Sequence, residues 1–595
     1  MRPSLLRLSL LLATLFQEVA LAQPAATPDA GPASRSADPA KALVGIWGGE
    51  GTYGPEVRGG LTLVRDPGGW RASIGGFTVP GVLEKQTLTF TLPGGQGDFR
   101  GSLSPDGKRI LGHWIQPRIQ VGGVRYATPV ELRPLQKDVW RGSVTPLEDR
   151  FTLYLVVQEM PDGAIHAFVR NPEKNLGRQG AFRVSLKDDA VQLVEVRSGG
   201  MRFTGTYDAS AEKLSLNVLF LGTLDLTRRE RDQAVGLYPR TPAEPVYTYR
   251  KPIADGDGWA TASLADVAMD EAPIRALVQG ILDTTPGPTP TPLIEGLLIA
   301  RHGKLVVEEY FHGQDSERPH DLRSASKTFA PMLVGAAIDQ GAKLRPESPV
   351  YPLLPGGTAL AAQDPRKARI TVEHLMTMTS GLACDDNDDS SPGNENTLQE
   401  QPSDWYTYTL NLPMAREPGA DAAVYCSAGM HLLGAVLHQT TGTWLPELFE
   451  RTVAAPLQMR RHHINLSPDG DAYLGGGLYL RPRDALKLGQ LYLSGGIWNG
   501  RRVISRRWVE RSTARHAEMS PGRTYGYAWW RHELKVGGRV YAEYEAGGNG
   551  GQYVMVVPEL DLAVAFTGAN YSQFALWKRF REELLPRYIL AAARP

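Results

Sequence analysis

The stretch "RSASKTFAPMLVGAAIDQG", residues 323–341, places Ser324 three positions before Lys327 at the head of an apolar run. In a helix, residues three apart share a face, so the two side chains can meet. A serine at a helix start sits where free N–H groups and the positive dipole end favour developing negative charge. Phe329, Met332, Leu333 and Val334 surround Lys327 with apolar volume. Burial disfavours an ammonium, so this reading predicts a lysine of lowered pKa that acts as base toward the serine hydroxyl. Pro331 has no N–H for the Lys327 carbonyl, which predicts an irregular helix there. The same residues also suit an N-capping serine with a solvated lysine, and the motif alone does not separate the two readings.

Two later segments bear on the choice. "PGADAAVYCSAGMHLLGAVLHQTTG" (418–442) sets Tyr425 just before an apolar helix, with Ser427 two residues on. A tyrosine is a poor base at its normal pKa of about 10, but a cationic neighbour favours the phenolate. "EAGGNGGQYVMVV" (545–557) sets Gly547, Gly548, Asn549, Gly550 and Gly551 against a strand. Glycines there let backbone N–H groups approach a ligand, as an oxyanion hole requires.

In this order and spacing, Ser324-x-x-Lys327, Tyr425-x-Ser427 and the glycine loop resemble the serine β-lactamase-like superfamily. That group includes class C β-lactamases, D,D-peptidases, family VIII esterases and 6-aminohexanoate-dimer hydrolases. "ITVEHLMTMTSGL" (370–382), "GGGLYLRPRDALKLGQLYL" (475–493) and "NGGQYVMVVPELDLAVAFTG" (549–568) are similar to the same group. The resemblance covers roughly residues 290–590. It implies an α+β fold, an antiparallel sheet with helices on both faces plus a helical subdomain. It further implies that Ser324 attacks an acyl carbon, Lys327 activates it and Tyr425 shuttles protons. Ser427 and residues 547–551 then contact the substrate or its oxyanion, and neither metal nor cofactor is needed. Two departures narrow the substrate. Ser427 stands where the family carries asparagine, and the glycine loop lacks the lysine that binds the carboxylate of β-lactams and peptides. "GGNGGQ" is most similar to the nylon-oligomer hydrolases. The expectation is a serine hydrolase of an ester or small amide, with a β-lactam or cell-wall D,D-peptide as the second choice. A non-catalytic scaffold on the same fold is a third reading, although a scaffold needs none of Ser324, Lys327 and Tyr425.

Other signals set the context. Arg2 and Arg7, the apolar run 8–16 and Ala20-Leu21-Ala22 read as a signal peptide over 1–22, predicting a periplasmic or secreted protein with no membrane span once mature. Residues 23–42 read as a disordered tether. Lys plus Arg and Asp plus Glu balance at 64 each, which gives no reason to expect nucleic acid. Cys384 and Cys426 are the only cysteines; they can pair in an exported chain or stay as buried thiols. Oligomeric state is not legible.

At 595 residues more than one domain is expected. Over 43–240, short alternating runs broken by glycine turns predict an all-β barrel or sandwich. Trp47 in "IWGGE" echoes Trp140 in "VWRGS", and "DFRGSLSPDGKRILG" echoes "RFTGTYDASAEKLSL". Spacings of roughly 90 to 105 residues suggest two similar meanders. His113, Trp114 and Trp140 are read chiefly as core residues. Residues 241–261 read as a linker and 262–595 as the hydrolase domain. "CDDNDDSSPGNE" (384–395) reads as a solvated acidic loop rather than a calcium site, its glycine and glutamate being misplaced. Its Asp385, Asp386, Asp388 and Asp389 are expected to favour amine-bearing substrates by long-range attraction.

Overall fold

The computed structural model describes residues 38–593, apart from 121–122, 174–180 and 219–220. The expected signal peptide and most of the tether lie outside the described residues. Within the tether's expected span, Pro39–Leu43 forms a 3-10 turn. Its Ala40 and Leu43 pack into a barrel core, so chain order begins before residue 43.

The N-terminal region is sixteen strands: β1 (Gly45–Thr52), β2 (Gly59–Asp66), β3 (Gly69–Ile74), β4 (Phe77–Glu84), β5 (Thr87–Thr91), β6 (Asp98–Leu103), β7 (Ile110–Ile115), β8 (Arg125–Gln136), β9 (Val139–Val144), β10 (Arg150–Glu159), β11 (Ile165–Arg170), β12 (Phe182–Lys187), β13 (Ala190–Glu195), β14 (Met201–Asp208), β15 (Lys213–Val218) and β16 (Gly222–Arg229). They close two barrels. Strands β2 to β9 form the first, shut by the pairing of β9 with both β2 and β8. Strands β10 to β16 form the second, and β1 closes it by pairing with β10 and β16. Chain order explains the arrangement. Lys137 and Asp138 are the whole link between β8 and β9, so β9 folds straight back onto β8 and fills the first barrel. The matching strand β1 is then left for the second.

The two closing strands share their chemistry. Trp47 of β1 is buried in the second barrel and Trp140 of β9 in the first. Two residues beyond each tryptophan lies a glycine that the closure requires. A Cβ on Gly49 would sit 2.4 Å from the Asp225 carbonyl of β16, and one on Gly142 would sit 2.3 Å from the Glu131 carbonyl of β8. Alternation along β7 turns Trp114 into the first barrel and His113 out of it, toward Trp444 of the hydrolase region.

Residues 241–261 run without regular structure until Ala260–Thr261, but Tyr247 and Trp259 are buried against the hydrolase region. Ala260–Thr261 is itself the edge strand of a nine-stranded sheet. That sheet brings Ile294–Arg301 and Lys304–Tyr310 together with Leu562–Gly568, Gln552–Val557 and Arg539–Gly548, so both ends of the region meet in it. Ile294–Arg301 and Lys304–Tyr310 turn at His302 and Gly303, both with positive φ. The helix Pro482–Leu493 covers one face, while Glu271–Leu282 and the C-terminal turn Phe580–Leu590 cover the other. The α+β architecture follows: an antiparallel sheet between helical layers, preceded by β-barrels. No helix among the described residues is long and apolar enough to cross a membrane.

The first barrel is continuous with the hydrolase region. Arg125, Tyr126 and Ala127 of β8 pair with Leu466, Asn465 and Ile464 of the strand His462–Leu466. That strand pairs with Leu478–Leu480, which pairs with His320–Asp321, three residues before Ser324.

Candidate active site

Ser324 lies in a 3-10 turn, Arg323–Thr328, that continues as the α-helix Phe329–Asp339. The helix Phe329–Asp339 runs through Pro331, which stands in its first turn. The turn and helix are packed on every side, and Phe329 through Ala337 are all buried. Lys327 is 1 % exposed, whereas Ser324 keeps an open side. Lys327 Nζ donates to Ser324 Oγ at 3.0 Å and also to the Gly475 carbonyl. Tyr425 completes the cluster. Its ring lies 5.0 Å from the ammonium and stacks on Trp530 at 5.7 Å.

The structure corrects the expected charge state of Lys327. Burial works to lower its pKa, but Tyr425, Glu395 and Asp386 outweigh burial and the net direction is up. Lysine here rests as an ammonium. Tyr425 is also raised, by burial, against the opposing pull of Lys327 and Ser324. The pair must therefore lose one proton before it can take the proton of Ser324.

Asp386 is the carboxylate that sequence reasoning left in a solvated loop. Its Oδ2 accepts from Ser427 N at 2.8 Å and Ser427 Oγ at 2.6 Å, and its Oδ1 accepts from Glu395 N at 3.0 Å. Burial first, then Glu395, push its pKa up to about 6, against Lys327 and the Ser427 hydrogen bonds. A raised carboxyl stabilises the fold fully below its ordinary value near 3.8 and loses that contribution as pH rises through about 6. Ionised Asp386 thus costs stability at neutral pH while holding Lys327 charged. Its neighbours Asp385, Asp388 and Asp389 stay at or near the surface, where Asp385 and Asp388 close local turns.

Two expected substrate contacts are corrected. Ser427 is 0 % exposed and its hydroxyl is committed to Asp386, so it positions Tyr425 and the helix Ser427–Thr441 instead of meeting substrate. Asn549 turns its side chain away, accepting from Ser572 N at 2.7 Å. Gly548 and its neighbours remain beside the Ser324 turn. A Cβ on Gly548 would lie 2.3 Å from the Leu322 carbonyl and 2.9 Å from Ala325 N, so only glycine lets this strand end approach the Ser324 turn. At Gly547 the nearest atom would be 3.4 Å away. Gly548→Ala is therefore expected to lower kcat/KM by about 10²-fold or more, by analogy with the loss of one oxyanion donor. Gly547→Ala should stay near wild type, and steady-state kinetics of the two variants check the contrast. Gly550 and Gly551 form the turn itself, with φ of 98° and 99°.

Cys384 and Cys426 are joined in a disulfide, which resolves the alternatives left open by the sequence. It pins the acidic loop to the residue between Tyr425 and Ser427. The closed loop spans a separation of 42 residues. Cys384→Ser is expected to cost roughly 3–4 kcal/mol in the chain-entropy model and to lower activity by loosening Tyr425. Thermal melts and ester assays, with and without reductant, check both effects.

Residues 294–575 match the family described as Beta-lactamase. This region has the β-lactamase/transpeptidase-like fold. A curated relative, 6-aminohexanoate-dimer hydrolase of Paenarthrobacter ureafaciens, is 27% identical over 255 residues, which is 40% of this chain and 64% of the relative. The chain thus spans about two thirds, and no more, of that relative's length. Among solved structures, the hydrolase EstCE1, described as having promiscuous acyltransferase activity, is similar at a TM-score of 0.42 and 19% identity. That match covers 55% of this chain and 100% of EstCE1. A penicillin binding protein from Bacillus halodurans is similar at a TM-score of 0.39 and 18% identity, covering 49% and 95% of the two chains.

Several residues of the β-lactamase-like site were not singled out from sequence. Glu395 receives the Tyr473 hydroxyl at 2.6 Å, Gly475 supplies a carbonyl to Lys327, and Trp530 backs Tyr425. Glu395 closes and Gly475 opens stretches quoted above for other reasons, and Trp530 starts a strand that carries no motif. Beside the nucleophile's neighbour Arg323 lies a polar cleft of about 320 Å³. Its walls come from both regions, including Asp149 and Glu173 from the barrels and Glu295, Arg318 and Tyr571 from the β-lactamase-like domain.

Proposed function

We propose that this protein is an exported serine hydrolase that cleaves an ester or small amide through an acyl-enzyme on Ser324. The observation that carries the reading is the 3.0 Å bond between Lys327 Nζ and Ser324 Oγ, with the Tyr425 ring 5.0 Å from the same ammonium. In the proposed reaction the Lys327–Tyr425 pair takes the Ser324 proton as Oγ attacks the acyl carbon. The pair returns a proton to the departing oxygen or nitrogen, and water then repeats the sequence in reverse on the ester of Ser324. Backbone N–H groups of the nucleophile turn and the glycine strand end are suited to hold the oxyanion. The disulfide supports export, because such bonds persist in oxidising compartments.

Similarity to a 6-aminohexanoate-dimer hydrolase and the exposed Asp388 and Asp389 favour substrates that carry a free amine. The absence of lysine from 547–551 disfavours β-lactams and D,D-peptides. The test is labelling by a fluorophosphonate probe, with a panel of p-nitrophenyl esters, nitrocefin, D-amino-acid amides and aminohexanoate oligomers. Labelling lost in Ser324→Ala, with turnover of esters or amides over nitrocefin, is expected. Absence of labelling and of hydrolysis would leave the scaffold reading. Equal turnover of cationic and neutral versions of one substrate would remove the amine preference.

A further inference from the structure

Where the first barrel meets the β-lactamase-like domain, three metal-ligating side chains converge from three different elements. His113 comes from the outer face of β7, Glu450 from the helical turn that follows Leu445–Phe449, and His462 from the start of the strand His462–Leu466. One donor atom from each lies within 4.8 Å of the others. His113 and His462 are 2 % and 1 % exposed. Among the described residues, His113 Nε2, both ring nitrogens of His462 and Glu450 Oε2 have no hydrogen-bond partner. Buried polar atoms are nearly always satisfied, so three residues with orphaned atoms converging at one point call for something that the protein atoms do not supply. They are not bonded to one another: His462 Nε2 and Glu450 Oε2 stand 3.5 Å apart. That gap is long for a hydrogen bond but close to the roughly 3.3 Å edge of a tetrahedron with zinc–ligand bonds near 2.05 Å.

We infer that His113, Glu450 and His462 bind a divalent transition metal, with zinc favoured, that fastens the first barrel to the hydrolase domain. Two imidazoles exclude a calcium- or magnesium-type oxygen cage and suit zinc, with a carboxylate as third ligand and water as the fourth. The rings are already held in place. His113 packs edge-on against Trp444 at 5.3 Å, and His462 packs against Phe449 at 5.3 Å. The Arg100 guanidinium lies 5.4 Å from the far partner, the Trp444 ring, and is the nearby positive charge that the ion must tolerate. Because the ligands come from both sides of the junction, bound metal cross-links them, a role separate from the chemistry at Ser324.

The test uses the full-length protein, purified without affinity histidines and dialysed against chelator. Zinc titration followed by elemental analysis should show a single equivalent retained per chain, and zinc should raise the melting temperature. Cobalt should give the intense visible absorption of a tetrahedral site. His113→Ala, His462→Ala and the volume-preserving Glu450→Gln should each weaken zinc binding by ~10- to 100-fold or more while circular dichroism is unchanged. The inference is overturned if the wild-type protein retains no zinc or cobalt after dialysis, since this arm needs no variant to fold. It is equally overturned if Glu450→Gln and the His variants bind zinc as wild type does, which would place the metal elsewhere.

Discussion

Ser324→Ala is expected to lower kcat for an activated ester by about 10⁴- to 10⁶-fold, and Lys327→Met by a comparable factor. The double variant should be no worse than either single one. The reason is geometric: Lys327 Nζ has its 3.0 Å contact with the oxygen proposed to attack, so in that reading the two groups serve one step. The pH dependence has a definite sign. Lys327 and Tyr425 are both raised, so at neutral pH both are mostly protonated and few molecules hold a competent base. kcat/KM should therefore climb steadily from pH 6 to pH 9 without an alkaline fall in that range. Tyr425→Phe should flatten this climb. Pre-steady-state and pH-resolved kinetics on an ester panel check these outcomes; additive losses in the double variant would separate Lys327 from the attack step.

The second large effect concerns stability. Asp484, at the head of the helix Pro482–Leu493, accepts from Arg481 Nε at 2.8 Å and Lys487 Nζ at 2.7 Å. All three side chains are 0 % exposed. Arg483 of the same helix pairs with Asp257, from the stretch before the domain, at 3.0 Å, and with Glu308 of the central sheet at 3.0 Å. Asp484→Ala leaves two buried cations without their nearest carboxylate, a loss of about 3–5 kcal/mol. Removing a cation as well should restore part of it, so Asp484→Ala/Lys487→Met is expected to be more stable than Asp484→Ala alone. Urea unfolding followed by tryptophan fluorescence measures both. A larger loss in the double variant would mean that Lys487 is stabilised by packing and not by the charge it faces.

Much of the architecture was legible because it rests on local periodicity. The turn at His302-Gly303, the strands at both ends of the domain and the helix Ser427–Thr441 each follow a pattern within a few residues of where they occur, although the pairing of those strands is long-range. The repeat marked by Trp47 and Trp140 was legible too, but not which barrel each strand would close. Both carry the same tryptophan and the same obligatory glycine two residues on, so either fits either barrel by side chain alone. The short link between β8 and β9 decides the matter through chain geometry.

The site divides along the same line. Sequence by itself pointed to Ser324, Lys327 and Tyr425 as candidates, because a spacing of three on a helix and a tyrosine at a helix start are local facts. Only the tertiary structure decided their charge. Tyr425, Glu395 and Asp386 lie far from Lys327 along the chain, yet in the fold they outweigh burial and keep its ammonium protonated. Burial also reversed the part given to Ser427, which serves Asp386 instead of a substrate. Electrostatic fields and burial are summed over every neighbour in space, and those neighbours exist only once the chain has folded.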